Sequence, residues 1–472
     1  MNRPACKPIV ATFLLVLLAG CASTDTSKVL TQTQQDLAPF TTRPLDIAFT
    51  TEQVEQRRAA AQRLLAQPLQ QADAVGLALL NSPALQALLA RAMADAAQAA
   101  QQGRIANPRL GLEWSSLLDE TEIARRISFG LLDVLTLPHR QDMAARAVQQ
   151  VQLQMSMDVV EQISTVRQAW VKAVAAQEAA QYAQQVQEAA SIGAELARRI
   201  QLVGNSSKLQ AARQQLWYAQ ATVQLAQARD EAQSAREALV RALGLDSVQA
   251  QALRLAARLP DLPAAAKVYD QTMAQAWQTR LDLRMAQAAW ESAQQARTLG
   301  QWTSRGDVEI GLRNDLVRDV EGSNTRQGLE LGLALPLFDD GSLRRAGLDA
   351  RSLALALQVQ ATERQAASQL RESYAHYRST YELARQYRDE LLPLRKTMSE
   401  ETLLRYNGML VSVFDLLGDA QEQITLVRAA LAAQQQFWLA DAALQAALVG
   451  KPLASAPGIG QPFSQGTSDA AH

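Results

Sequence analysis

The chain consists of two copies of one pattern, and this internal repeat constrains the fold more than any other feature of the sequence. Four short segments recur in the same order, about 200 residues apart. The matched pairs are 78–85 with 276–283, 110–113 with 310–313, 203–205 with 407–409, and 243–244 with 449–450. The repeat predicts one structural unit present twice, over residues 70–245 and 268–450.

Each unit changes its periodicity along the chain. A helical stretch over 72–103 ends at Gly103 and at the Asn107-Pro108 pair, because these residues break helices. Apolar residues then alternate with polar or small ones, which is the pattern of a strand with two unlike faces. The alternation predicts strands at about 109–116, 125–137, 307–316 and 326–338. Their lengths are close to those of tilted strands that cross a bilayer, and a soluble hairpin packed on a helix is the alternative.

A very long helix is predicted after each hairpin, over 144–203 and 345–404, and a shorter return helix follows, over 209–243 and 413–448. Sixty residues of helix reach about 90 Å. The apolar positions from Met155 to Val174 recur about every 3.8 residues, a wider spacing than the 3.5 of a left-handed coiled coil. The pattern favours nearly straight staves of a helical barrel.

Four strands cannot close a barrel, and open strand edges are not tolerated in lipid. Closure in a membrane therefore requires several copies of the chain. Two copies would provide eight strands, whose interior side chains fill the lumen. Three copies provide an even, antiparallel barrel of twelve strands, so we expect a homotrimer.

The first residues resemble the export signal of a bacterial lipoprotein. Arg3 and Lys7 precede a short apolar run over 9–18, which suits a signal peptide rather than a membrane-spanning helix. Leu18-Ala19-Gly20-Cys21 is similar to a lipobox, which implies removal of residues 1–20 and acylation of Cys21 with fatty acids such as palmitate. An ordinary signal peptide with a chance cysteine is the alternative. An aspartate directly after the acylated cysteine would resemble a signal for retention in the inner membrane. The residue there is Ala22, so the outer membrane is favoured.

The composition argues against several classes of function. Cleavage removes two positive charges and changes the formal charge from −1 to −3, which is too balanced for a nucleic-acid binder. His139, His376 and His472 are far apart in the sequence, so no set of metal ligands is expected. Phosphate-binding glycine loops and nucleophile elbows are absent from the sequence. We expect no enzyme activity, cofactor or metal.

Together these elements resemble the TolC-like outer membrane factor family over residues 70–450. The most specific segments are 334–341, similar to the family's strand-to-helix turn, and 406–408 with 412–417, similar to the end of a periplasmic helical hairpin. The resemblance implies a mainly helical fold with a small β part, made of duplicated helix–β-hairpin–long helix–helix units. It also implies a trimeric twelve-stranded β-barrel that continues into a periplasmic α-helical barrel.

The resemblance further implies residue roles at the ends of the helical hairpins. The residues expected to contact a periplasmic adaptor protein are Gly204, Asn205, Ser206, Asn407, Gly408 and Met409. The family often carries two acidic residues near this end that narrow the closed pore. Asp415 matches the first, whereas the second position falls on Gly418 and Asp419 comes one residue later. Asp415 and Asp419 are the candidate gate residues, and a solvated helix face is the alternative for Asp415.

The implied function is that of an outer-membrane channel subunit in a tripartite efflux or secretion system. Such a subunit is a passive conduit that receives cargo from an inner-membrane pump through the adaptor. The alternative is a lipid-anchored, coiled-coil periplasmic scaffold without a pore, which does not need four strands about as long as a membrane is thick. The remaining segments are predicted to be a lipid-anchored tether over 21–69, an equatorial linker over 246–267 and a disordered tail over 451–472.

Overall fold

The computed structural model describes residues 27–451 apart from 39, 42, 118–119, 269–275, 304–307, 320–321 and 335–336. The predicted signal peptide, Cys21 and residues 452–472 of the predicted tail lie outside the described residues. The chain forms two compact units, each built from three stretches of sequence. The first unit takes its described residues from Met1–Pro39, Ala87–Ser156 and Arg284–Thr362, and the second from Phe40–Gln86, Met157–Leu283 and Glu363–His472.

Twelve α-helices, one π-helical turn and four strands lie entirely within the described residues. In chain order they are α1 (Ser27–Leu37), α2 (Thr51–Leu65), α3 (Gln71–Asn81), α4 (Pro83–Gln101), β1 (Arg109–Leu117), β2 (Glu120–Gly130), α5 (Leu131–Leu135), α6 (Leu137–Leu202), α7 (Lys208–Leu243), α8 (Ser247–Ala252), α9 (Leu281–Thr303), β3 (Val308–Asp319), β4 (Gly322–Leu333), α10 (Ser342–Gln386), a π-helical turn (Tyr387–Leu391), α11 (Leu392–Asn407) and α12 (Val413–Val449). The order helix, hairpin, long helix and return helix occurs twice. This confirms the predicted mainly helical, duplicated fold of a single chain.

The first unit contains one antiparallel sheet with the strand order β1-β2-β3-β4. Helix α1 packs beside α6 and α9, because the Asp36 carboxylate accepts hydrogen bonds from Gln152 at 2.9 Å and from Arg284 at 2.8 Å. Further ion pairs connect helices of this unit, namely Arg146–Glu291 and Arg297–Asp349. Polar contacts thus tie together the helical segments that accompany the sheet.

The second unit has a helical core with a large aromatic component. The Trp170 side chain is fully buried, and its indole N–H donates a hydrogen bond to the Leu69 carbonyl at 2.9 Å. Tyr377 and Tyr381 on α10 pack with Phe437 on α12. The Tyr381 hydroxyl donates to backbone carbonyls of the linker 246–267 at 3.1 Å. The linker is therefore anchored on an aromatic surface of α10 and α12.

Both return helices end in the same kind of joint. Gly244 and Gly450 follow α7 and α12 in the left-handed conformation, with φ of +66° and +97°, which glycine adopts without steric cost. A Cβ at position 244 would lie 2.7 Å from Ser82 Cα, and one at position 450 would lie 2.9 Å from Asp282 N. The residues matched by the sequence repeat therefore meet in equivalent places in the two halves.

Two predicted helices are interrupted, and proline explains both breaks. The helix predicted over 72–103 is divided into α3 and α4, because Pro83 disfavours helical backbone at Ser82, which has ψ of 115°. The helix predicted over 345–404 contains the π-helical turn, which ends one residue before Leu392-Pro393. Proline lacks the N–H that would bond the carbonyl four residues earlier, so the regular ladder changes at that point.

The strand boundaries also differ from the prediction. The second strand, predicted over 125–137, is Glu120–Gly130, and the fourth, predicted over 326–338, is Gly322–Leu333. Pairing continues to the turns, because unpaired backbone groups are costly, although the residues there are polar and show no apolar alternation. After Gly130 the apolar run forms the short helix α5 instead of extending the strand.

The segment predicted as a tether over 21–69 contains packed structure. Helices α1 and α2 lie within it, and it contributes buried residues to both units, among them Val29, Leu37, Leu45 and Ile47. Arg57 on α2 donates hydrogen bonds to the carbonyls of Leu79 and Leu80 at 2.8 and 3.0 Å. The buried apolar residues of this segment are few and widely spaced, so its polar composition did not predict that it would pack.

Among the described helices, none is by itself long and apolar enough to cross a membrane, whereas α3 and α4, joined at a bend of 58°, meet the same criteria of length and composition as a pair.

Candidate functional site

The pairing register divides the sheet into two chemically different faces. One face is mainly apolar and includes Leu110, Trp114, Ile127, Leu312 and Leu329, which occupy matched rows across the four strands. The other face carries all the acidic residues of the strands and most of their basic ones, including Glu113, Glu122, Arg126, Arg313 and Glu330. Since side chains alternate between faces, the register alone produces this separation.

Burial differs between the two faces of the sheet. The buried residues of the central strands all belong to the charged face: Ala124, Ser128, Gly311, Asp315 and Val317. On the apolar face, Trp114 is 79% exposed and Leu329 is 74% exposed. Side chains are therefore more crowded on the charged face, as they are on the inner side of a curved sheet, and we call the charged face concave and the apolar face convex. The convex face has no covering element among the described residues.

Ion pairs lie on the concave face, one within β3 and two between strands. Arg126 lies 3.3 Å from Glu330, and Arg313 lies 2.7 Å from Asp315 and 3.5 Å from Glu122. The two arginines are directly opposite each other on β2 and β3, an arrangement that would be repulsive without these carboxylates. Both signs of charge are present, which is the character of a hydrated surface rather than of a packed core.

The sheet ends in two open edges. Strands β1 and β4 each pair with one neighbour among the described residues. Open edges present unpaired N–H and C=O groups, which cannot remain unsatisfied in lipid. A membrane location for this sheet therefore requires that β1 of one copy pairs with β4 of another.

The helical hairpins of the second unit end in exposed turns. In the first, between α6 and α7, Gly204 has φ of +81°. In the second, between α11 and α12, Met409 has φ of +57° and is 94% exposed, and Leu410 is 77% exposed. The two hairpins pack side by side through a cluster that includes Val186 and Ala190 with Trp217 and Ile424.

Both turns lead into a helix through the same capping arrangement. Ser207 and Gln210 form a reciprocal capping box at the start of α7, and Ser412 and Asp415 form one at the start of α12. In such a box each side chain bonds the backbone N–H of the other residue, which satisfies two donors at the helix end. The return helix of each repeat thus begins with a capping box, whose third helical residue is the neutral Gln210 in the first repeat and the acidic Asp415 in the second.

Neither a family model nor a curated protein sequence matches this chain, but solved structures match its fold. The outer membrane channel CmeC of Campylobacter jejuni matches with a TM-score of 0.68 and 13% identity, over 81% of this chain and 86% of that one. The outer membrane protein VceC of Vibrio cholerae matches with a TM-score of 0.66 and 16% identity, over 83% and 98%. The outer membrane channel MtrE of Neisseria gonorrhoeae matches with a TM-score of 0.64 and 16% identity, over 80% and 89%.

The chain has the TolC-like fold. The resemblance found in the sequence is therefore confirmed at the level of the fold. Within this TolC-like fold, the residues predicted to contact an adaptor lie in the two exposed turns: Gly204, Asn205 and Ser206 in the first, and Asn407, Gly408 and Met409 in and just after the last turn of α11. Their adaptor-contacting role stays a prediction.

The two candidate gate residues of the TolC-like fold have different surroundings. Asp415 is exposed, and hydrogen bonds from the Ser412 side chain and backbone, at 2.7 and 2.9 Å, lower the pKa of its carboxyl. Asp419 is largely buried, lies 2.9 Å from Arg395 and accepts a hydrogen bond from the Ser399 hydroxyl at 2.7 Å. Asp415 is therefore available to a neighbouring copy, whereas the Asp419 carboxylate is engaged within its own hairpin.

Arg395 is a residue that the sequence reasoning missed. Its side chain on α11 is 9% exposed and forms ion pairs with Asp419 and with Glu422, the latter at 3.1 Å. The partners are on α12, across the hairpin turn. No local pattern marks such a contact, because it depends on how two helices are placed side by side.

Within the described ranges, no three His, Cys, Asp or Glu side chains are grouped closely enough to hold a metal ion.

Proposed function

We propose that this chain is the outer-membrane channel subunit of an export system, a passive conduit between the periplasm and the exterior. The proposal rests on the curved sheet with an apolar convex face, a charged concave face and two open edges. An apolar convex face suits contact with lipid, and a charged concave face suits a water-filled lumen. The likeness to the outer membrane channels CmeC and MtrE supports the proposal of a channel.

Three copies close the barrel by pairing β4 of each chain with β1 of the next. Twelve strands leave room for a lumen, whereas eight would be filled by side chains. Closure also satisfies the backbone groups of both edges, which is the condition for a stable sheet in lipid.

An adaptor protein docks on the exposed turns at 203–207 and 408–412 and joins the channel to an inner-membrane pump. The exposed apolar side chains of Val203, Met409 and Leu410 support this role, since large exposed apolar groups at the end of a hairpin suit a protein partner. Transport energy then comes from the pump, and the chain itself performs no chemistry.

Acylation of Cys21 anchors the mature chain in the outer membrane. The lipobox-like segment supports this step, and two or more acyl chains hold a protein stably, since each buried CH₂ contributes about 0.8 kcal/mol. We expect Cys21→Ser to abolish metabolic labelling with palmitate. Labelling that survives the substitution would contradict the anchor and leave the channel proposal intact.

Conductance of the purified protein in planar bilayers tests the channel. We expect discrete single-channel currents and a native mass of three chains. A scaffold without a pore would give the mass of its own oligomer and no current, and that result would overturn the proposal.

A matched pair of variants tests which face meets lipid. Leu331→Arg places a charge on the convex face of β4 and should cost about 2–4 kcal/mol of membrane stability. Gly332→Arg places the same charge on the concave face and should be tolerated, because no atom lies closer than 3.5 Å to a Cβ at that position. Equal membrane insertion of the two variants would contradict the assignment of the faces.

A further inference from the structure

The convex face of the sheet is not uniformly apolar. Its rows begin near the helices with Val308 opposite Leu333 and continue through Ile310 and Leu331. Further toward the turns, one complete row is Leu112, Arg125, Asn314 and Gln327. The last row before the turns is Ser116, Thr121, Arg318 and Ser323. The half of the convex face nearer the turns is therefore rich in hydrogen-bond donors.

The charges on this face have one sign. Arg125 and Arg318 are the charged residues that the register places on the convex face, and both are exposed. Every acidic residue of the four strands falls on the concave face by register. Neither arginine forms an ion pair within the part of the chain that the structure describes, in contrast to Arg126 and Arg313 on the concave face. Two exposed guanidinium groups without an acidic partner among the described residues thus stand on a surface otherwise suited to lipid.

The spacing of these groups fits the edge of a bilayer. Arg318 lies four residues beyond Asn314, the partner of Arg125, which is about 14 Å along the strand. The row between them contains Trp114, Ile123 and Leu316, and tryptophan is enriched at the boundary between lipid tails and headgroups. An arginine one row inside that boundary can extend its guanidinium to headgroup level while its stem remains among the tails.

We propose that Arg125 and Arg318 bind phosphate groups on lipids of the leaflet at the turn end of the barrel. The inference rests on the proposed channel function, which sets this face against lipid. Guanidinium binds phosphate through paired, charge-assisted hydrogen bonds, and Asn314 and Gln327 supply further donors in the Arg125 row. A diphosphorylated glycolipid offers one phosphate group for each of the two arginines.

Binding of lipid A to the purified full-length channel in detergent tests this site. Native mass spectrometry compares bisphosphorylated lipid A with the same lipid after removal of its phosphates. We expect the phosphorylated form to bind at least about tenfold more tightly, and Arg125→Gln with Arg318→Gln to abolish that preference. Arg326→Gln is the matched control, because Arg326 lies on the concave face of β4, and it should keep the wild-type preference.

Three results would overturn the proposal. They are equal binding of the two lipid forms, an unchanged preference in the double variant, and displacement of the lipid by inorganic phosphate at the same phosphate concentration. The last result would assign the arginines to a free anion. Conductance of the same preparations in bilayers of neutral lipid separates the two proposals. If the wild-type protein conducts but shows no phosphate preference, the channel proposal stands and the lipid-site proposal is wrong. If the wild-type protein does not conduct, the channel proposal itself is wrong.

Discussion

Asp415 and Asp419 lie one helical turn apart on α12, yet they serve the hairpin in different ways. The Asp415 carboxylate caps the first turn of the helix through Ser412 and remains exposed. The Asp419 carboxylate is held by Arg395 and Ser399. Because the capping bonds favour the charged form, the lowered pKa keeps Asp415 ionised to a lower pH than an ordinary aspartate. Its contribution to the cap is present above the unfolded value near 3.9 and is lost as the pH falls through the lower folded value.

The variant Asp415→Gln distinguishes the capping role of the Asp415 side chain from the effect of its negative charge. The first repeat already uses glutamine at this place, in Gln210, so the variant should retain the capping box and remove only the carboxylate. If three Asp415 carboxylates converge in the pore, block of single-channel current by divalent cations should weaken in Asp415→Gln and in Asp415→Ala alike. Hydrogen exchange at the start of α12 should increase only in the alanine variant. Unchanged block in both variants would leave Asp415 with its capping role alone.

Arg395→Leu should loosen the second hairpin. Removal of the guanidinium leaves Asp419 largely buried without its cation, and breaking a buried pair in this way costs about 3 kcal/mol. Amide hydrogen exchange across 392–423 reports the change locally, which matters because a large oligomer does not unfold in one step. The matched variant Arg395→Leu with Asp419→Leu should recover much of the protection. Normal exchange in the single variant would show that the ion pair contributes little.

At the scale of whole elements, the positions of breaks and caps follow from single residues. Pro83 and Pro393 interrupt two predicted helices, while Gly244 and Gly450 end the return helices in matched joints. Helix existence was predictable because apolar periodicity persists over many turns. The strand ends were not predictable, since polar residues such as Glu122 and Asn324 pair near the turns without apolar alternation.

Gly244→Ala and Gly450→Ala should each destabilise the second unit. A left-handed backbone costs a residue with a side chain about 1–2 kcal/mol, and the added Cβ would lie within 3 Å of neighbouring backbone atoms in both places. Gly418→Ala is the control, because it lies inside α12 with no atom within 4 Å of a Cβ, and helix propensity favours the change by about 1 kcal/mol. Thermal unfolding of the purified protein should rank the control above the wild type and both joint variants below it. The reverse ranking would show that these joints tolerate a side chain.

For the whole molecule, the duplicated order of elements was visible in the sequence because the two halves repeat the same changes of period. The two faces of the sheet were visible for the same reason in residues such as Leu329 and Leu331. What the sequence concealed are contacts between elements distant along the chain, such as Arg395 with Asp419 or Arg57 with the carbonyl of Leu79. Helix α1 was not predicted either, because it has few buried apolar residues and its apolar periodicity is therefore weak.

At this scale the proposed channel function requires that β1 of one copy pairs with β4 of another. Cysteine cross-linking tests the pairing directly, because residues opposite each other in antiparallel strands lie within disulfide reach. With Cys6 and Cys21 replaced by serine, Leu112→Cys can be combined in turn with Gln327→Cys, Leu329→Cys or Leu331→Cys, which samples three registers on the convex face. One combination should produce covalent trimers on a denaturing gel. Ala124→Cys with Asp315→Cys, directly opposite on β2 and β3, is the control and should cross-link only within one chain. If that control forms its bond while all three edge pairs remain monomeric, the shared barrel is wrong and the open edges must be covered in another way.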